Sequence, residues 1–201
     1  DGKEFTQKIH TQTAVDAKLL LYAEWEETAR QRVEEATSDR VAYIHMRAMG
    51  NDDLQNFLTK MHTYALHKDA LILDLRFNNG GNVHNQVLNF LRGQEHFRWS
   101  YRDFDTVSHP NVAPAGKPIV VLVNERSLSD AEVTSNGIKN LGIAKLVGTE
   151  TYRWIIFTSS AQLIDGSTCR LPAWGCYNLN GSDLESTCVT PDYYVRNTFL
   201  D

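Results

Sequence analysis

Two short apolar runs, each breaking into a polar turn, constrain this chain more than any other feature. Ala70-Leu-Ile-Leu-Asp-Leu75 and Ile119-Val-Val-Leu-Val123 show no apolar–polar alternation, the pattern of strands covered on both faces in a parallel sheet. The first run leads into Arg-Phe-Asn-Asn-Gly-Gly81 and the second into Asn-Glu-Arg-Ser-Leu-Ser-Asp-Ala-Glu132, and a helix is expected after each turn. The start of a helix carries unpaired N–H groups and the positive end of the macrodipole. Ser129 stands at the second junction, so negative charge developing beside it would be stabilised. The Gly80-Gly81 turn offers a way to aim a second backbone N–H at the same point.

The remainder supplies helices to cover such a sheet. Ala14–Ala36 are strong helix formers with an apolar stripe through Leu21, Trp25, Ala29 and Val33, ended by Thr37-Ser-Asp39. Val41–Met46 reads as a strand. Asn51–Leu66 reads as a helix with Leu54, Phe57, Leu58 and Met61 on one face and Asn51 or Asp52 as its cap. Further helices are expected from about Val83 to Leu91 and from Asp130 to Leu141, with a loop holding Pro110 and Pro114 between them and a short strand at Ala144–Val147. Four strands alternating with helices mean right-handed βαβ units. From Thr149 to Val195 short strand-like pieces take over, with Asp165-Gly166 and Asn180-Gly181 as hairpin turns.

At 201 residues and 42% hydrophobic, the chain has enough apolar surface for one sizeable core. A net charge of −5 with no Lys/Arg cluster argues against nucleic acid or an anionic membrane as the main partner. No apolar run reaches the roughly 20 residues of a membrane helix, and Asp1-Gly-Lys-Glu4 does not begin a signal peptide. Cys169, Cys176 and Cys188 lack zinc spacing, and an odd count completes no disulfide framework. Three buried or half-exposed thiols are expected, with a Cys169–Cys176 bridge as the alternative. The seven histidines show no ligand spacing, and no metal or organic cofactor is expected. His45 reads as a core or edge histidine, while His84 falls in the first turn after the glycine loop. Taken alone, each reactive feature has a plain structural reading. Ser129-Asp-Ala-Glu132 fits a capping box, Asn78-Asn-Gly-Gly81 fits an ordinary positive-φ turn, and Glu185 fits a solvated charge.

Taken together they resemble a family. Ala-Tyr-Ile-His-Met-Arg-Ala-Met49, Leu-Asp-Leu-Arg-Phe-Asn-Asn-Gly-Gly-Asn-Val83, the segment Pro118–Glu132, Lys-Leu-Val-Gly-Thr149, Leu-Ile-Asp-Gly-Ser167 and Asp-Leu-Glu-Ser-Thr-Cys-Val-Thr-Pro-Asp192 occur in the order of the catalytic core of tricorn-like serine peptidases, relatives of the C-terminal processing peptidases. The resemblance spans roughly Val41 to Val195. It implies an α/β fold: a ClpP/crotonase-like spiral core with a mixed, parallel-rich sheet flanked by helices and a β-rich C-terminal subdomain. Residues 1–40 then form a helical linker leaving an absent PDZ domain, and residues 41–201 form the peptidase core. Ser129 matches the nucleophile, and the N–H groups of Gly81 and Asp130 match the oxyanion hole. Glu185 matches the carboxylate that orients a catalytic histidine, which in this family comes from a segment before the PDZ domain. A peptide or unfolded protein is the implied substrate, a homo-oligomer is compatible with the family, and a bacterial envelope location is favoured over the cytoplasm.

Two departures qualify the resemblance. Processing peptidases that use a lysine base carry it near the position of Trp154, so a Ser–Lys dyad is not expected here. Where relatives have glycines that admit a peptide, this chain has Tyr152-Arg153-Trp154 and Phe157, and Cys188 replaces another glycine. Arg153, Trp154 and Phe157 therefore become candidates for a reshaped substrate groove. Two alternatives stay open: a non-catalytic peptide- or ligand-binding module on the same scaffold, and a crotonase-like acyl-CoA enzyme. The latter is disfavoured by the lack of a basic cluster for the CoA phosphates.

Overall fold

The computed structural model describes residues 7–8, 11–93, 97–100, 102–103, 107–109 and 116–197; Pro110 and Pro114 lie outside them. The chain opens with α1 (Ala14–Thr37), started by Thr13, whose hydroxyl accepts the Asp16 N–H. There follow β1 (Val41–His45), α2 (Asn51–Thr63), a 3-10 turn (Ala65–His67), β2 (Ala70–Asp74) and α3 (His84–Arg92). A small ribbon, β3 (Phe97–Trp99) and β4 (Val107–His109), precedes β5 (Ile119–Val123), α4 (Asp130–Asn140) and β6 (Lys145–Gly148). The last part holds β7 (Phe157–Gln162), β8 (Thr168–Trp174), the one-turn α5 (Leu184–Thr187) and β9 (Tyr193–Tyr194). Helix α2 differs from expectation at both ends. Gly50 is its N-cap and gives no side-chain bond, and at Tyr64 the chain tightens into the 3-10 turn that buries Ala65.

The main sheet has the order β1-β2-β5-β6-β9, and each of its pairings is parallel. Antiparallel pairing is confined to the separate ribbons β3–β4 and β7–β8. Spatial order thus follows chain order in one direction. Because crossovers between parallel strands are right-handed, α2, α3 and α4 must all fall on the same face, and the chain advances as a spiral. Burial records the result. Ala42, Ile44, Leu71, Leu73, Ile119, Val121 and Leu146 are at most 9% exposed and join Leu54, Phe57, Met61, Val87, Leu91 and Ile138 in one core.

On the opposite face Ile72, Val120, Leu122 and Val147 are only half-buried. The expectation that β2 and β5 are covered on both faces is therefore corrected: one face is packed, and the other is partly open. Helix α1 lies over β1, where Trp25 meets His45 and Phe77 edge-on at centroid distances of 5.1 and 5.7 Å. Along the expected stripe Trp25, Ala29 and Val33 are half-buried, but Leu21 is exposed. The β7–β8 hairpin turns at Asp165-Gly166 as expected, whereas Asn180-Gly181 closes only an isolated bridge between Tyr177 and Asp183. The three cysteines are unpaired thiols. Among the described residues no helix is long and apolar enough to cross a membrane.

Leu73, fully buried at the centre of the packed face, tests this layout. Leu73→Ala should lower stability by about 3 kcal/mol in urea unfolding, against less than about 1.5 kcal/mol for Ile72→Val on the open face.

Candidate active site

Strands β2 and β5 are neighbours with Leu73 beside Val121, so their turns leave the same edge of the sheet side by side. Three hydrogen bonds then lock the turns together. Ser127 Oγ donates to the Leu75 carbonyl at 2.8 Å, the Phe77 N–H to Asn124 Oδ1 at 3.1 Å, and the Leu128 N–H to the Asn78 carbonyl at 3.1 Å. Asn78 is fully buried, with its Nδ2 donating to the Met46 carbonyl and its Oδ1 accepting the Gly80 N–H. The glycine turn is thereby pressed against the serine. A Cβ on Gly80 would lie 2.7 Å from Ser129 Cβ and 3.2 Å from Ser129 Oγ, and one on Gly81 would lie 2.0 Å from the Met49 carbonyl oxygen. Only glycine fits either position.

Ser129 is half-buried and has φ +56° and ψ −118°, a backbone state that L-residues rarely adopt. Glu132, fully buried one turn into α4, holds it there. Its Oε1 accepts the N–H of Ser129 at 3.0 Å and of Trp154 at 2.9 Å. Its Oε2 accepts the Thr151 hydroxyl at 2.6 Å and the Arg153 N–H at 2.9 Å. The Ser129 hydroxyl sits over the Glu132 N–H in the manner of a capping box, while the hydrogen bond of that N–H, at 2.9 Å, runs to the Ser129 carbonyl.

Two backbone donors accompany the serine. Neither the Gly81 N–H nor the Asp130 N–H has an acceptor among the described residues. The Asp130 carboxylate, 1% exposed, turns the other way: Oδ2 accepts the N–H groups of Val83 at 2.7 Å and His84 at 3.0 Å, and Oδ1 lies 2.5 Å from His84 Nδ1. The hydrogen bond to Asp130 raises the His84 pKa above its ordinary 6.5 against the opposing effect of burial.

Glu185 stands in α5, half-buried, its N–H capped by Asp183 at 3.0 Å and its carboxylate without a hydrogen-bond partner among the described residues. The chain after α5 returns to the serine through Thr151: Val189 N–H donates to Thr151 Oγ1 at 3.0 Å, and that hydroxyl donates to Glu132. Arg153 and Trp154 are tied by their backbones to the elbow that Ser129 forms between β5 and α4, while their side chains are exposed, and the Tyr152 and Trp154 ring centroids stand 5.8 Å apart. Phe157 packs against the core instead of standing open. Cys188 is buried at φ +55°, and burial pushes its thiol pKa up. His45 is committed to the sheet, with Nε2 2.5 Å from the Tyr22 hydroxyl and Nδ1 3.0 Å from the Asp74 carbonyl; burial lowers its pKa. No cluster of three or more potential metal ligands occurs among the described residues.

Sequence reasoning missed the reach of Glu132 to residues 151–154, and the roles of Thr151 and Asn78. The signal was the polar residue type itself: Asn or Glu beside an apolar strand's turn must be hydrogen-bonded if buried. Glu132→Gln sets an NH2 against backbone donors and should destabilise the chain by about 2 kcal/mol in denaturant unfolding, with Thr151→Val costing roughly half as much. Because the His84 pKa is raised on folding, its ion pair contributes below the unfolded value and fades as pH rises through the folded one. The destabilisation caused by Asp130→Asn should therefore be larger near roughly pH 6 than near roughly pH 9.

Comparisons with known proteins identify the family. The model of peptidase family S41 matches residues 40–195. The tricorn protease of Thermoplasma acidophilum is 30% identical over 183 residues, covering 90% of this chain and 17% of that protein. A putative tricorn protease homolog of Streptomyces coelicolor is 29% identical over 201 residues, covering 98% of this chain and again 17% of the relative. A crystal structure of the tricorn protease superposes with a TM-score of 0.75 at 27% identity over 87% of this chain and 17% of that one. The photosystem II D1 C-terminal processing protease shares the fold, with a TM-score of 0.61 at 21% identity over 77% of this chain and 42% of that one. This chain spans about a sixth of the length of the tricorn relatives, and it belongs to peptidase family S41 as a tricorn-like peptidase core.

Proposed function

We propose that the chain is the reaction core of a serine peptidase acting on peptides or unfolded polypeptides through an acyl-enzyme. Ser129 Oγ attacks the scissile carbonyl carbon, and its proton passes to an imidazole. The carbonyl oxygen, now negative, is held by the N–H groups of Gly81 and Asp130. Glu185 orients the imidazole and stabilises its cation, the amine departs with the proton, and water then releases the acyl group. His45 is engaged with Tyr22 and Asp74, and His84 with Asp130; following the family resemblance, this reading assigns the catalytic histidine to an N-terminal segment outside these 201 residues. What carries the reading is that the strained serine, the Asp130 N–H and the turn bearing the Gly81 N–H lie at the locked ends of β2 and β5, both N–H groups without an acceptor among the described residues.

A second reading, a peptide-binding module without turnover, draws on the exposed Tyr152 and Trp154 rings beside the elbow. Fluorophosphonate treatment of the full-length protein separates the two. A label on Ser129, abolished in Ser129→Ala, is the expected outcome. No label on a folded protein, with peptide binding unchanged in Ser129→Ala, would transfer the assignment to the binding module.

A further inference from the structure

We infer that Asp130 and His84 form a staple that fixes the spacing of the two oxyanion donors, making His84 a positioning residue; the inference rests on the peptidase reading above. The two donors come from different βα units. The Gly81 N–H belongs to the turn before α3, and the Asp130 N–H to the start of α4. Helix α3 begins at Val83 without a side-chain cap of its own, so its first N–H groups need an acceptor from elsewhere. Asp130 supplies it across the gap, taking the Val83 and His84 N–H groups on Oδ2. One residue thus offers its N–H toward the reaction and uses its carboxylate to hold the loop that carries the other donor.

His84 completes the grip. Its Nδ1 meets Oδ1 at 2.5 Å while its own N–H meets Oδ2, so both carboxylate oxygens are engaged and rotation about the Asp130 Cβ–Cγ bond is blocked. Without the imidazole, Oδ1 would sit unpaired in a buried carboxylate, and the carboxylate could turn away from the Val83 N–H. Among the described residues Asp130 is the one charged group acting on His84, and the imidazole keeps about a fifth of its side-chain surface in solvent. Oxyanion donors act through position, and a shift of a fraction of an ångström in their spacing lowers rate more than it lowers substrate binding.

The test compares His84→Asn, which keeps a donor near the Nδ1 position, with His84→Leu, which has nearly the same shape and no donor. In full-length protein, His84→Leu should slow fluorophosphonate labelling of Ser129 by about tenfold, and His84→Asn should stay within about threefold of the native rate. With a peptide substrate the loss should fall on kcat with KM little changed. Amide hydrogen exchange at Val83 should quicken in His84→Leu and not in His84→Asn. Native labelling by a folded His84→Leu variant, or equal slowing in both variants at unchanged melting temperature, overturns the inference. If the native protein takes no label, the peptidase reading falls, and exchange at Val83 still decides whether the staple exists.

Discussion

The carboxylate of Glu132 is the interaction on which the serine-bearing corner depends. Sealed from water, it is tolerable only because four donors converge on its two oxygens, and three of these are main-chain N–H groups. Those donors belong to the strained serine and to the segment 151–154, which are far apart in sequence. The elbow and the wall beside it are consequently one rigid unit. Thr151 extends the unit to Val189, and so to the chain leaving the short helix that bears Glu185. Electrostatic necessity, more than apolar contact, assembles this side of the site.

The topology explains why such a unit forms where it does. A parallel sheet whose spatial order follows chain order puts every strand-to-helix turn on one edge and every crossover helix on one face. Adjacent turns then touch. At β2 and β5 the contact is so close that glycine is required at 80 and 81, and buried Asn78, Asn124 and Ser127 satisfy the backbone groups that the turns leave over. The same winding leaves Ile72, Val120, Leu122 and Val147 half-covered, since no crossover helix returns to that side.

Much of this was legible in the sequence, because its strongest signals are local. Unalternating apolar runs marked β2 and β5, helical periodicity marked α2 and α4, and Asp165-Gly166 marked the β7–β8 turn. The ordered motifs pointed to Ser129, Gly81 and Asp130, and the turns that carry these residues lie side by side. What local pattern could not carry was any property fixed by partners distant along the chain. Leu122 and Val121 are both apolar, so nothing in the run reveals that one faces helices and the other an open side. Strand β9 spans two residues and is defined by its pairing with β6, not by any period of its own. Glu132 looked like an ordinary capping glutamate because three of its four donors lie about twenty residues downstream. Phe157 was placed in the groove by its neighbours in sequence, yet it packs inward.

The left-handed backbone of Ser129 has a consequence for how such a chain can change over time. A side chain bearing a β-carbon at φ +56° and ψ −118° raises the folded state's free energy by roughly 1–3 kcal/mol relative to a relaxed turn. Glycine would relieve that burden and discard the hydroxyl in the same step. A relaxed backbone and a retained hydroxyl therefore pull against each other at one residue, and lineages in which that hydroxyl is no longer needed would be expected to drift there first.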